Sequence, residues 1–583
     1  MAGILGSLWI AVSAPSASAH PLAAAPPSEP TAADSLAKYW IFLADRQTGQ
    51  TASPAADVSR RGSHEALKRR GLRGSDPDAL TRPLAPRHLA ALHRLGVRPI
   101  VHSRWLRAVS ARLTPAQLAQ VRALPVVEST RRIGSGSAAA SPDGGHGSRL
   151  HAPPSASSPV LLSPPLPSTA TPARSVADSS FYGASYTQLR LMNALAPLER
   201  GLNGRGVRIG FLDTGYRGLQ HPAFDEMRRE GRLLGIRDFT EKPQTNNHGG
   251  GVVSAAAGYD PGILIGPAHG AEVLAASTEY TPTETNVEED YFVAGLEWLE
   301  RRGADVVNVS LGYTTFDDGE DSYTIADLDG NTGVTTRAVD AAAKLGVVVV
   351  VSAGNSGCGD PANCWFYVST PADADSVITV GAVGADSSHI PFSSRGPTAD
   401  GRIKPDVAAQ GRSVVSAWNE SDYARVNGTS FSSPLVAGVV AQMLQQNPRL
   451  TPMEVRRLLR NTASQPASPD SLVGWGVVNA DAAVRAAERR ARERPPRALE
   501  VSPPYPSPAT QQVTFSIRAP RSADSIRITL FDVLGRRVRM VERSVQPGPN
   551  QIRLSVGDLP PGVYPYRLRT GTEVRTGKIM IVR

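Results

Sequence analysis

Val207-Arg208-Ile209-Gly210-Phe211-Leu212 runs straight into Asp213-Thr214-Gly215. An apolar run of this length, closed by a carboxylate and a glycine turn, reads as a buried strand with a polar side chain at its C-terminal end. Three more runs have the same character: Val306-Val307-Asn308-Val309, Val347 to Val351, and Val377-Ile378-Thr379-Val380. Helical patterns at 334–344 and 452–461 separate or follow them, and Thr451-Pro452-Met453-Glu454 supplies a capping-box start for the second. Near-continuous apolar strands alternating with helices predict an α/β fold over residues 180–488, a parallel sheet with helices on both faces. Such sheets build their sites outside the carboxyl ends of the strands, where Asp213 falls.

The 583 residues of the whole chain are too many for one unit, and further units flank this core. Residues 36–132 read as a small α/β domain. Tyr39 to Leu43 forms a strand, and a helix starts with Thr114 as N-cap and Pro115 in its first turn. Residues 133–178 are rich in Ser, Pro, Ala and Gly and read as a disordered linker, the kind of stretch where proteolytic nicking concentrates. Residues 489–508 form an Arg/Pro-rich linker. From 509 to 583 short strands with turn punctuation predict a small β-sandwich, with strand candidates 513–517, 526–533, 550–556 and 563–568. Pro565 inside the last of these implies an edge strand or a bulge. Residues 1–19 are a short apolar run ending in Ala17-Ser18-Ala19, as in a signal peptide, so export is expected. The net charge of +9 comes from arginines scattered along the chain, which reads as solvated surface charge with no nucleic-acid partner.

Three more segments carry candidate chemistry. Asn246-Asn247-His248-Gly249 precedes an apolar stretch from Val252 to Ala257 that suits a buried helix with His248 near its start. Asn427-Gly428-Thr429-Ser430-Phe431-Ser432-Ser433-Pro434 precedes the apolar helix Leu435 to Met443, so the Ser430 N–H sits at a helix start and faces any oxygen held there. A serine hydroxyl is a poor nucleophile at neutral pH. A histidine can take its proton, and an aspartate can fix that histidine's tautomer. Ala353-Gly354-Asn355-Ser356-Gly357 follows the strand at 347–351 and offers an amide to a developing oxyanion. A donor of this type contributes about 2.7–4 kcal/mol to a transition state.

Together these segments resemble the Asp, His, Asn and Ser motifs of the subtilisin family (subtilases), in that family's order along the chain. Ser310-Leu311-Gly312, Phe392 to Pro397, Lys404 to Ala409 and Gly474 to Ala480 resemble further stretches of the family. The resemblance implies a secreted serine endopeptidase acting on protein or peptide substrates through an acyl-enzyme. Asp213, His248 and Ser430 would be catalytic, Asn355 would form the oxyanion hole, and Ser310, Leu311 and Gly312 would pair with substrate backbone. No cofactor is implied for the chemistry, and a monomer is expected. Residues 36–132 resemble the family's inhibitory propeptide, which makes the protein's own propeptide a partner. Ile528 to Arg536 with Leu559 to Tyr564 resemble the C-terminal sorting domain of type IX secretion substrates, which implies a secretion machinery as partner and a secreted or cell-surface location.

Two departures bear on activity. Gly250 and Gly251 stand where relatives carry Thr and a variable residue, and each glycine weakens a helix start by roughly 1 kcal/mol relative to Ala. This is expected to loosen His248, and it motivates an alternative reading as an impaired protease domain serving as a surface binding scaffold. Phe431 stands where many relatives carry Met. The loops Phe316 to Asp321 and Asp327 to Thr332 offer oxygens, with Asp327 and Asp329 as candidate ligands of a structural calcium, although a plain solvated acidic loop is the favoured reading. Cys358 and Cys364 lie just after Asn355. A disulfide there is preferred to a metal site, because no histidine or second cysteine pair accompanies them.

Overall fold

The structure, a computed structural model, describes residues 36–44, 63–74, 78–132, 160–162, 179–242, 246–317, 320–357, 365–521, 523–571 and 573–582. The expected signal peptide at 1–19 and both cysteines lie outside them.

The N-terminal domain contains β1 (Ala37–Leu43), α1 (His64–Arg73), α2 (Pro86–Arg94), β2 (Pro99–Ser103), β3 (Ala108–Leu113), α3 (Pro115–Arg122) and β4 (Val127–Arg132). Its four strands form one antiparallel sheet in the order β2-β3-β1-β4. Helix α3 starts as the sequence predicts: the Thr114 hydroxyl accepts from the Gln117 N–H at 3.2 Å, and Gln117 closes a capping box. One face of the sheet packs Tyr39, Ile41 and Val109 against Leu92 of α2 and Val121 of α3.

Residues 160–162 form a short strand, β5 (Val160–Leu162), inside the stretch expected to be a linker without structure. It extends a hairpin of the central domain, pairing with Tyr423 to Arg425. The central domain then runs β6 (Arg208–Asp213), β7 (Leu233–Asp238), α4 (His248–Ala257), β8 (Glu272–Ser277), α5 (Val287–Arg301), β9 (Val306–Val309), α6 (Val334–Lys344), β10 (Val348–Ser352), β11 (Ile378–Val383), β12 (Val407–Gln410), α7 (Thr429–Gln446), α8 (Pro452–Thr462) and α9 (Ala480–Glu493). Seven strands form a parallel sheet in the order β12-β11-β10-β9-β6-β8-β7.

The continuous apolar runs are explained by the two faces of this sheet. Ile209, Phe211, Val348 and Val350 point into a core with α4 and α7, while Leu212, Val307, Val349 and Val351 point into a second core with α5 and α6. Trp40, Phe42, Val101 and Trp105 of the N-terminal domain complete that second core. The two domains therefore share one apolar interior along α5 and α6.

The C-terminal unit begins earlier than residue 509, because Glu500 and Val501 already pair with Arg518 and Ile517. It contains β13 (Gln512–Ala519), β14 (Ser525–Phe531), β15 (Arg537–Ser544), β16 (Gly548–Ser555), β17 (Gly562–Thr570) and β18 (Glu573–Ile581). A three-stranded and a four-stranded sheet enclose their own core around Phe515, Ile528 and Leu568. Strand β17 lies between β14 and β18 in the sheet, but its pairing with β14 stops at Tyr566, so at Pro565 it has only β18 beside it: the edge expected for Pro565 is local to that residue, and no bulge is present there. The unit is tied to the central domain by Glu500, which accepts from Arg449 at 2.6 Å, and by Arg518, which donates to Glu500 at 3.0 Å within the unit and to the Gln446 carbonyl at 2.5 Å across to α7.

Asp406 closes the far side of the central domain. Its carboxylate accepts from the Thr379 N–H at 2.8 Å, from Lys404 at 3.1 Å, from Arg456 at 2.7 Å and from Arg460. Burial opposes the charge, but Lys404, Arg456 and Arg460 together hold the carboxyl far below the usual range. A depressed folded pKa contributes stability at pH values above the unfolded pKa of about 4, and that contribution is lost as pH falls below it. Asp406→Ala strands three cations and is expected to cost about 3–5 kcal/mol at neutral pH. Denaturant midpoints of the Ser430→Ala chain with and without the change measure it. Equal midpoints at pH 7 would show that the cluster contributes nothing.

Candidate active site

Asp213 ends β6 and is fully buried. Its Oδ1 accepts from the Thr214 N–H at 2.7 Å and from His248 Nδ1 at 2.6 Å. His248 opens α4, and its own N–H donates to Asn246 Oδ1 at 2.7 Å, so the preceding asparagine turns the chain into the helix. The two segments meet through glycine. A Cβ on Gly215 would lie 1.8 Å from the Asn246 carbonyl oxygen. Phe431 meets the imidazole edge to face, with ring centroids 5.4 Å apart.

Burial disfavours the His248 imidazolium. The charge of Asp213 and its hydrogen bond outweigh this, so the His248 pKa is raised above its ordinary value. Ser430 lies in the first turn of α7 and is 8% exposed. Gly428 precedes it at φ 140°, a backbone conformation open to glycine. Among the described residues no hydrogen bond joins Ser430 Oγ to His248. Without substrate such contacts are commonly long.

Asn355 follows β10. Its Oδ1 accepts from both the N–H and the hydroxyl of Thr429, each at 2.9 Å. With the oxygen engaged on both, the amide NH2 remains the donor. Thr429 also accepts from the Gly354 N–H at 3.2 Å. Thr429 therefore orients the amide, a part that its motif gave no reason to assign to it. Ser310 Oγ accepts from Asn308 at 2.9 Å and donates to the Ser430 carbonyl at 2.9 Å. Its side chain thus supports the Ser430 turn, while the backbone beyond is held by Tyr313, whose N–H donates to Thr370 O at 2.8 Å.

Against this geometry, comparison with known proteins is decisive. Residues 204–476 match the model of the Subtilase family, peptidase S8. Subtilisin Savinase from Lederbergia lenta is 32% identical over 295 residues, covering 50% of this chain and 96% of that protein. The chain belongs to the subtilase family. Serine protease AprX from Bacillus subtilis (strain 168) is 31% identical over 312 residues, covering 48% of this chain and 67% of the relative. A solved structure of the self-cleaved protease domain of PatA aligns at 25% identity with a TM-score of 0.39, covering 49% of this chain and 97% of that one. Residues 38–143 match the peptidase S8 propeptide domain of Bacteroidota, and residues 504–582 match the secretion system C-terminal sorting domain. The protein is a subtilisin-like serine endopeptidase with a propeptide and a sorting tail that directs it to secretion and the cell surface. No described helix is long and apolar enough to cross a membrane.

Two segments of this subtilase have a geometry that bears on what was expected of them. Helix α4 begins at His248 itself, with Gly249, Gly250 and Gly251 buried. A Cβ at these positions would lie 2.7 Å from Tyr216, 2.4 Å from Asn247 and 2.8 Å from Ser416. Close approach to three neighbours thus explains a run that helix propensity alone disfavours. The calcium candidates do not converge. Asp327 caps its own turn by accepting from Thr324, and Asp329 accepts from the N–H groups of Asn331 and Thr332 at 2.8 and 2.7 Å. Among the described residues, the carboxylates that do converge are Glu279, Glu284 and Glu288, each with an oxygen within 4.8 Å of the others. Burial and mutual repulsion push Glu284 up to about 8, and burial pushes Glu288 up to about 7.

The raised pKa of His248 is testable without any assumption about catalysis. Imidazole titration by NMR is expected to place His248 above the ordinary value of about 6.5. Asp213→Asn is expected to bring it below that value, because burial then acts alone. A midpoint unchanged by the substitution would sever the pair.

Proposed function

We propose that this endopeptidase cleaves peptide bonds through Asp213, His248 and Ser430. His248 Nε2 takes the Ser430 proton as the hydroxyl attacks the scissile carbonyl. Asp213, on the opposite ring nitrogen, fixes the tautomer and stabilises the imidazolium. The Asn355 amide and the Ser430 N–H hold the tetrahedral oxyanion, an acyl-enzyme forms, and water releases it. Substrate lies along residues 310–312 as an added strand, so its side chains are selected by pockets and its backbone by hydrogen bonds. No cofactor takes part in these steps. The propeptide leaves by cleavage within 133–178, and the tail from about residue 499 is read by the secretion machinery.

The observation that carries this reading is the 2.6 Å bond from buried Asp213 to His248, in a chain whose Asn355 amide is already aimed by Thr429. An amide held before substrate arrives does not have to reorganise during reaction, which is how such donors gain their effect.

A serine-directed fluorophosphonate tests the proposal. The processed chain is expected to label stoichiometrically at Ser430, and Ser430→Ala is expected to neither label nor turn over peptide substrate above a residual rate roughly 10³–10⁴-fold over water. A processed wild-type chain that fails to label supports the scaffold reading instead. Wild-type turnover by Ser430→Ala removes the assignment.

A further inference from the structure

Helix α1 is placed oddly for a member of the propeptide domain. None of its residues enters the core that joins the domain's sheet to α2 and α3. Its own sequence is strongly polar, yet Arg69, Arg70 and Arg73 are buried together with Ala66. What buries them is the catalytic domain. Arg69 donates to the Ala304 carbonyl at 2.6 Å and pairs with Glu300. Arg70 makes a fork on Glu300, with both carboxylate oxygens at 2.7 Å. Arg73 donates to Asp305 Oδ1 at 3.1 Å, to the Pro448 carbonyl at 3.2 Å and to the Gly346 carbonyl. The N–H of the capping Ser63 donates to the Arg301 carbonyl at 2.7 Å.

The location of these partners matters. Ala304 and Asp305 lead into β9, Gly346 leads into β10, and Pro448 follows α7. All lie where the parallel strands begin. Asp213, Ser310 and Asn355 lie where strands β6, β9 and β10 end. Strands of four to six residues separate the two ends by roughly 15 Å. Helix α1 therefore grips the enzyme at the end of the sheet away from the catalytic residues. The body of the propeptide domain contacts the same helix α5 with other residues: Lys38 pairs with Asp290 in its first turn at 3.0 Å, and Ser103 and Arg104 bind Glu297, one turn before Glu300, at 2.8 and 3.0 Å.

We propose that residues 63–74 are an arginine latch, a second anchor of the propeptide that is separate from its folded body. The latch keeps the cleaved propeptide on the enzyme until it lets go. The partner surface is the carboxylate of Glu300 with Asp305 and the carbonyls around them, and it takes a helix presenting arginines at spacings of one, three and four. Removing one side of a buried ion pair leaves the other charge uncompensated, so the three guanidinium groups leave together or stay together. After release, Glu300 and Asp305 are uncovered on the mature enzyme. The inference rests on the propeptide reading of the N-terminal domain, and its first readout does not need catalysis.

Hydrogen exchange on the Ser430→Ala chain, which cannot process itself, compares the parent with Arg69→Ala/Arg70→Ala. Amides of 64–73 are expected to exchange at least roughly tenfold faster in the variant, with β1–β4 and α5 unchanged. Glu300→Gln, which removes the charge from the enzyme side with little change of shape, is expected to give the same local loss. Two results overturn the latch: undiminished protection of 64–73 in both variants, or loss of protection spreading through the propeptide sheet, which would make the helix part of the domain's fold. In the active chain, gel filtration after processing is expected to show the parent retaining its propeptide and the arginine variant shedding it, with peptidase activity appearing earlier and reaching the same final rate. Equal retention and equal lag contradict the latch. A chain that processes but shows no activity in either form counts against the protease reading, while the exchange result still decides the latch.

Discussion

The site depends on how closely the turn after β6 can approach the start of α4. Asp213 is fixed at the end of a central strand, flanked by β8 and β9, and cannot move toward its partner. His248 must come to it, and the Asn246 carbonyl passes so near Gly215 that any side chain there would sit inside it. The same need for close contact recurs along the first turn of α4, where three glycines face Tyr216, Asn247 and Ser416. Helix propensity is spent here for proximity, a trade that makes sense where an aspartate and an imidazole must meet at hydrogen-bond distance.

Charge is used differently at the two ends of the chain. The C-terminal unit leans on the central domain through partly exposed contacts around Glu500, together with the Tyr505 hydroxyl on the Gly201 carbonyl at 3.3 Å. The propeptide is held by buried ones, with Lys38, Arg69 and Arg70 almost wholly out of solvent opposite Asp290 and Glu300. Buried pairs are poorly screened and costly to break singly. A segment meant to leave after one event, and to stay until then, suits such contacts.

Much of the architecture was legible because the central strands are apolar on both faces, as Val348 to Val351 illustrate, and because Thr451 with Glu454 announces a helix start. Strands β15 and β18 were not legible. They carry Arg, Glu and Lys on exposed positions, with β15 and β18 at the two edges of their sheet, so no apolar run marks them. Asp213, His248, Asn355 and Ser430 could be picked from motifs, since each follows a strand or opens a helix. The part played by Thr429 could not, because it depends on which way the Asn355 amide faces across 74 residues of chain. The arginines of α1 misled most. Spread along the sequence they resemble surface charge, and only the docking of two domains shows Arg69 and Arg70 to be buried.

The central claim is that close approach at Gly215 sets the Asp213–His248 contact. Fluorophosphonate labelling of Ser430 in a Gly215→Ala chain tests it most directly. The added methyl must push the 246–248 turn away, so the labelling rate is expected to fall by roughly 100-fold or more while the chain stays folded. A folded Gly215→Ala chain that labels at the parent rate would contradict the account.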